Sequence, residues 1–164
     1  MNILDAISVL DKDITNPSKG LPDEVFYYIS RMTPLVNVDL LIKDENERIL
    51  LAWRDDQYSG KGWHVLGGIV RFKETLETRI QKVAETEIGV DVKFDTTPVT
   101  VKQVIHHGRE TRSHFISLLY NCFLSETFIP ENKGLTSRDP GYLQWHDSSP
   151  DDLLKCHKMY LEYF

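Results

Sequence analysis

Cysteine is scarce: Cys122 and Cys156 are the only two among 164 residues. They lie far apart, each among apolar neighbours, and form no metal-ligand spacing. That excludes a disulfide-stapled scaffold and a thiolate zinc site, and reads as buried free thiols in a reducing cytoplasm. Long apolar runs are missing too. None approaches the roughly 20 residues of a membrane span, and Met1–Leu10 carries Asp5 and no secretory-type apolar core. A soluble, cytoplasmic protein with no membrane partner is expected. Positive charge is in deficit, with 19 Lys and Arg against 25 Asp and Glu and a net charge of -6. Such a chain does not attract a nucleic acid backbone as a whole. Internal repeats and low-complexity tracts are absent.

What is present suffices for one packed domain: 41% hydrophobic and 27% charged residues. Residues 1–20 read as an N-terminal extension, with Ile3, Ala6, Ile7 and Leu10 at helical spacing and a turn-rich Asn16–Gly20. A helix starts near Pro22, acidic in its first turn. Leu35–Lys43 alternates as a strand and, across the turn Asp44–Glu47, predicts a hairpin with Arg48–Arg54. Trp63–Leu66 reads as a short strand, Thr75–Ile88 as a helix, and Val92–Phe94, Pro98–His107, His114–Leu124 and Tyr142–Trp145 as extended. Glu126–Pro140 reads as a loop, and Ser149–Pro150–Asp151–Asp152 as the start of a final α-helix.

Within the central helix, Leu76, Ile80, Val83 and Ala84 make an apolar stripe, and Glu87 falls in its middle. A carboxylate there is costly unless satisfied. It is a buried ion pair, a frayed residue reaching water, or a metal ligand. Upstream, Gly67-Gly68 ends a strand and is either a plain turn or a place where backbone approaches a ligand and its carbonyls meet a hard cation such as Mg²⁺.

These residues carry a resemblance. The Nudix box has the form G-x5-E-x7-REUxEExGU, with U a bulky apolar residue. Here Gly68, Glu74, Glu87, Gly89 and Val90 fall at matching positions, while Lys82 replaces Arg and Val83 and Thr86 replace Glu. The sequence therefore resembles the Nudix hydrolases. Among them it is most similar to the GDP-mannose mannosyl hydrolases, whose box also keeps only the last glutamate. Thr33–Asp39, Leu50–Arg54, Ser113–Phe115, Trp145 and the C-terminal His157, Tyr160 and Phe164 extend the similarity. The resemblance covers residues 21–164. It implies an α+β Nudix fold, an α/β/α sandwich with a mixed β-sheet.

It also implies a chemistry: water attacks the anomeric carbon of a nucleoside diphosphate sugar and releases nucleoside diphosphate and free sugar. Mg²⁺, with Mn²⁺ as a substitute, would be held by Glu87 and the Gly68 carbonyl. Arg54 would contact the diphosphate, His114 would be the general base, and Asp39 would orient the site. Arg71 and His107 would join Arg54 in binding substrate, and Glu74 and Lys82 would form a structural ion pair. The partner is a small-molecule nucleotide sugar; a homodimer is left open.

Two departures stand out. The family's second arginine, directly after Gly-Gly, is Ile69 here, with Arg71 two residues on as the substitute. Only Gly108–Ser113 separate His107 from His114, where the family has a longer loop. His106, His107 and His114 also raise a zinc site, though adjacent strand residues face opposite ways. The cluster Lys102, His106, His107, Arg109 and Arg112 is either a solvated edge or a phosphate-attracting rim. Two alternatives to the sugar hydrolase remain. One is a pyrophosphohydrolase attacking phosphorus, with Glu85 or Glu74 replacing the missing ligands. The other is a catalytically silent ligand-binding domain.

Overall fold

Thr75 accepts a hydrogen bond from the Thr78 amide and starts α3, Leu76–Ile88, and Gly89 ends it at φ 74 in the left-handed region. Capping and glycine thus bracket the predicted stripe. The computed structural model describes residues 2–124 and 127–164, so Met1, and Glu126 at the start of the expected loop, lie outside it.

Among the described residues, eight strands fall into two sheets. In the larger, β1 (Leu35–Ile42) lies between β4 (Leu66–Ile69), antiparallel, and β7 (His114–Phe123), parallel. Both β5 (Lys93–Phe94) and β6 (Thr100–Ile105) pair antiparallel with β7. The smaller sheet has β2 (Ile49–Asp56) between β3 (Gly60–His64) and β8 (Leu143–His146), all antiparallel. The expected mixed sheet is the larger one.

The predicted hairpin of the first two strands does not form. They share only the bridge Lys43↔Ile49 and then diverge into different sheets. Asp44 closes the turn itself: its side chain accepts from the Asn46 and Arg48 amides, and its own amide donates to the Arg48 carbonyl. The two strands then meet through side chains, with Leu40, Ile42, Leu50 and Ala52 in one core. The strand expected at Trp63–Leu66 is likewise divided at Val65, which belongs to neither ladder.

Two apolar layers flank the strands. Ile80, Val83, Ala84 and Ile88 of α3 pack on Val38, Leu40, Ile42 and Leu66. On the opposite side Leu41, Leu51, Val65 and Leu119 pack beneath Leu153 and Tyr160, with Met159 and Phe164 at the edge. Each fully buried aliphatic side chain contributes about 1.5–3 kcal/mol. The upper layer ends in a 3₁₀ run, Lys155–Tyr163, rather than the expected α-helix from Pro150. Trp63 captures that segment: its amide donates to the Asp152 carbonyl and its carbonyl accepts from the Leu154 amide. These pairings take the Asp152 carbonyl and the Leu154 amide out of any α-helix and leave only tighter turns such as Leu153 amide to Pro150 carbonyl, and Gly62 has no side chain because one would strike Asp152.

Helix α1 (Ile3–Asp13) has no buried residue, whereas α2 (Asp23–Ser30) turns Phe26 and Ile29 towards the cleft described below. No described helix is long and apolar enough to cross a membrane.

Candidate functional site

The cleft lies where the two sheets part, and its volume is about 520 Å³. Asp39, midway along β1, is 2% exposed and faces it. Its Oδ1 accepts from the Asn37 amide nitrogen at 2.8 Å, and its Oδ2 from the Tyr160 hydroxyl at 2.6 Å. Burial raises its pKa to about 6, against the pull of Tyr160, Ser117, Asn37 and the Arg54 charge. Gly67 and Gly68 are glycines because of crowding and not because of φ. A Cβ on Gly67 would collide with Asp39 Oδ1, and one on Gly68 would lie 2.7 Å from Val83 Cγ2.

Arg54, at the end of β2, lines the cleft with its Nε 3.5 Å from Asp56 Oδ2. Its charge lowers the pKa of both Asp39 and Glu87, the two carboxylates expected to work. Arg71, Arg79, Arg109 and Arg112 line the same cleft. A protein of net charge -6 therefore presents a strongly cationic pocket. Arg71 lies beyond the end of β4 and not on the strand, donating to the Lys19 carbonyl. The Arg112 amide donates to Ser30 Oγ, and its guanidinium sits 4.7 Å from the Tyr58 ring centroid.

Glu87 is half-buried and accepts no hydrogen bond among the described residues; burial raises its pKa. Such a carboxylate suits a cation. Among the described residues no three His, Cys, Asp or Glu side chains cluster as a metal cage. The fit is thus to a hard cation with one carboxylate, backbone carbonyls, water and substrate oxygens, the manner of Mg²⁺. Gly68 lines the cleft and is paired with Val38 in the β1–β4 ladder.

The expected Glu74–Lys82 pair forms at 3.0 Å, and Arg79 completes it at 2.6 Å. Burial pushes the Glu74 carboxyl up, but the Arg71 amide, Lys82 and Arg79 bring it down to about 2. Arg79 had a sequence signal: with Val83 and Glu87 it recurs every fourth residue on one helical stripe.

Two expected residues lie elsewhere. His107 is exposed, and its neighbour His106 lines the cleft instead, on the same face of the chain as Val104. His114 points away. β1 and β7 pair Asn37 with Ser117, so Phe115 and Ser117 share the cleft face, and His114 falls on the other face beside Gln103, Nε2 to Nε2 3.0 Å. Leu118, on the same face of β7 as His114, packs against the α3-side core. His106, His107 and His114 form no metal cluster among the described residues.

Residues that the sequence did not single out for chemistry fill the floor. His64 and His157 are 3% and 8% exposed, with ring centroids 5.8 Å apart. His64 Nδ1 is 2.8 Å from the Val65 carbonyl, and the Val65 amide donates to His157 Nδ1 at 3.3 Å. Burial lowers the pKa of both, His157 to about 3, and the charge of Arg54 adds to it. A polar residue just before Gly-Gly in an otherwise apolar strand was the available signal for His64.

The NUDIX domain family model matches residues 33–158. A Haloferax volcanii protein named low-salt glycan biosynthesis protein Agl8 is 38% identical over 80 residues, 49% of this chain and 51% of that protein. The chain thus matches about half the length of that relative. Among solved structures, the MutT NUDIX hydrolase from Burkholderia pseudomallei superposes with TM-score 0.61 at 23% identity, covering 80% of this chain and 98% of its own. The NUDIX domain of Shewanella oneidensis NrtR, solved with ADP ribose, covers 99% of this chain and 96% of its own at TM-score 0.54 and 15% identity. These structural likenesses concern the fold.

Proposed function

The chain belongs to the Nudix hydrolase family, and on that premise we propose that it hydrolyses a nucleoside diphosphate sugar with the help of Mg²⁺, in the manner of the GDP-mannose mannosyl hydrolases. The observation that carries this reading is a cleft lined by five arginines, one of which, Arg54, also acts through its charge on the unpartnered α3 carboxylate Glu87. Attack at phosphorus in this fold calls for further carboxylates on the helix. Here Glu74 is occupied by Arg79 and Lys82, and Glu85 is exposed. Departure of a diphosphate from carbon needs less: charge to receive it, and a base for water on the other side of the sugar.

When bound, the cation supplies positive charge to the leaving diphosphate. Glu87 and the Gly68 carbonyl would hold it. Arg54 binds the diphosphate, and Arg71 and Arg109 hold its outer oxygens. Asp39 takes the proton of the attacking water. It lines the cleft, ionises near pH 6, and is oriented by Tyr160 and Asn37. The apolar wall of Leu21, Phe26, Ile29 and Phe115 receives the base and keeps water out. His114 has no part in this scheme, since its face of β7 is turned away. The name of the Haloferax volcanii relative assigns that protein to glycan biosynthesis, a setting that a nucleotide sugar substrate suits.

The test is hydrolysis of a nucleotide-sugar panel in ¹⁸O-water with Mg²⁺, products separated by chromatography. Free labelled sugar plus unlabelled nucleoside diphosphate is expected. Label in phosphate, with sugar phosphate and nucleoside monophosphate, would overturn the reading in favour of a pyrophosphohydrolase; ligand binding without turnover would indicate a silent binding domain.

A further inference from the structure

Val65 sits at the break between β3 and β4, where neither ladder satisfies its backbone. Two buried histidines do so, and in doing so each is fixed in one protonation form. The Val65 carbonyl can only accept, so His64 carries its hydrogen on Nδ1, 2.8 Å away. The Val65 amide can only donate, so His157 Nδ1 is bare. Both rings are neutral, because burial and the nearby Arg54 charge oppose protonation. The outer nitrogens are therefore opposite: His64 Nε2 is a lone pair, and His157 Nε2 is an N–H. Neither has a protein partner among the described residues, and both residues line the cleft.

We propose that His64 and His157 form a hydroxyl-recognition subsite that reads the glycosyl group of the substrate, with His64 Nε2 accepting from a sugar hydroxyl and His157 Nε2–H donating to the same or the adjacent one. This rests on the reading above that a nucleotide sugar occupies the cleft. A hydroxyl is both donor and acceptor and matches the pair. A phosphate oxygen only accepts, so the His64 lone pair repels it, and the arginines already serve the phosphates. A base needs flat apolar plates; those stand elsewhere in the cleft, at Phe26 and Phe115, while this floor is bordered by Asp39 and Arg54. The subsite selects a glycosyl group with free hydroxyls against its deoxygenated counterpart, because a buried acceptor and donor left unmatched are costly.

The test must separate recognition from support of Val65. An asparagine at either position has an amide that reaches the place of Nδ1, donating to the Val65 carbonyl in His64→Asn and accepting from its amide in His157→Asn, and in both it deletes Nε2 alone. With a hydrolysed nucleotide sugar and its matched deoxy-sugar analogue, each variant is expected to lose about 10- to 100-fold in kcat/KM on the hydroxylated substrate. The analogue should change by less than about 3-fold, which is within the net strength of one hydrogen bond. Equal losses on both substrates would show a structural role and overturn the proposal.

A second arm does not depend on turnover. In the ¹⁵N-labelled full chain without added Mg²⁺, histidine nitrogen shifts should report His64 as the Nδ1–H form and His157 as the Nε2–H form. GDP-mannose should perturb both Nε2 resonances, and GDP alone should not. Charged rings, two identical tautomers, or equal perturbation by GDP would overturn the subsite. Absence of hydrolysis across the sugar panel would sink the proposed activity and leave this arm to decide recognition by itself.

Discussion

Tyr160, near the end of the chain, donates its hydroxyl to Asp39, in the middle of the central strand, at 2.6 Å across 121 positions of sequence. That bond couples the terminal 3₁₀ run to the one acidic side chain that lines the cleft among the described residues.

Asp39→Asn should lower kcat by about 10²–10⁴-fold, the usual contribution of a positioned base. In the wild type, kcat should rise with pH through about 6, where Asp39 ionises. Stability should run the other way. The folded pKa lies above the ordinary carboxylate value of 3.8, so the native state binds more protons than the unfolded state between those values. Stability therefore falls as pH rises from about 4 to about 6, and stays lower above that, by up to roughly 3 kcal/mol. Asp39→Asn should flatten this dependence in thermal unfolding scans from pH 4 to 8. Tyr160→Phe removes a donor to the ionised form and should move the acid limb of the rate profile to higher pH. An unmoved limb would show that Asp39 is not the group being titrated.

Glu87→Gln should reduce turnover by orders of magnitude and raise the Mg²⁺ concentration needed for half-maximal rate, because a single carboxylate anchors the cation. Its melting temperature without Mg²⁺ should equal or exceed that of the wild type, since a half-buried carboxylate without a hydrogen-bond partner costs stability. A large loss of stability instead would mean that Glu87 is a structural residue.

His114→Gln should change kcat by less than about 3-fold, far below the 10²-fold or more expected of a base. The side chain lies against Gln103, on the face of β7 opposite Phe115 and Ser117. A loss of two orders of magnitude would place His114 in the chemistry and require the strand register there to differ.

What the sequence disclosed was mostly local. The stripe of α3 and the Glu74–Lys82 pair lie within one helix and the loop before it. The alternation of β1 and β7 was legible too, because each strand carries its own period. What escaped was decided by partners distant in sequence. Whether His106 or His107 faces the cleft depends on the pairing of β6 with β7, and the direction of His114 on the pairing of β7 with β1. The split at Val65 depends on His157, 92 positions away. The terminal segment gives up α-helical bonds because the backbone of Trp63 competes for Asp152 and Leu154.

The Glu74 cluster gives a prediction about stability alone. Its carboxylate is 4% exposed and meets Arg79, 11% exposed, and Lys82, 48% exposed. Removing Lys82 breaks an ion pair already open to solvent, so Lys82→Ala should cost less than about 1 kcal/mol. Removing Glu74 leaves Arg79 with an uncompensated charge against Val83 and Gly68, so Glu74→Ala should cost about 3–5 kcal/mol. The pH signature has a fixed sign. Folding holds the carboxyl at about 2, below its ordinary 4.5, so its contribution is complete above about 4.5 and disappears as pH falls towards 2. Denaturant unfolding at pH 7 and at pH 3 checks this: the gap between wild type and Glu74→Gln should shrink at the lower pH. A gap of equal size at both would show that the pair contributes through packing and not through charge.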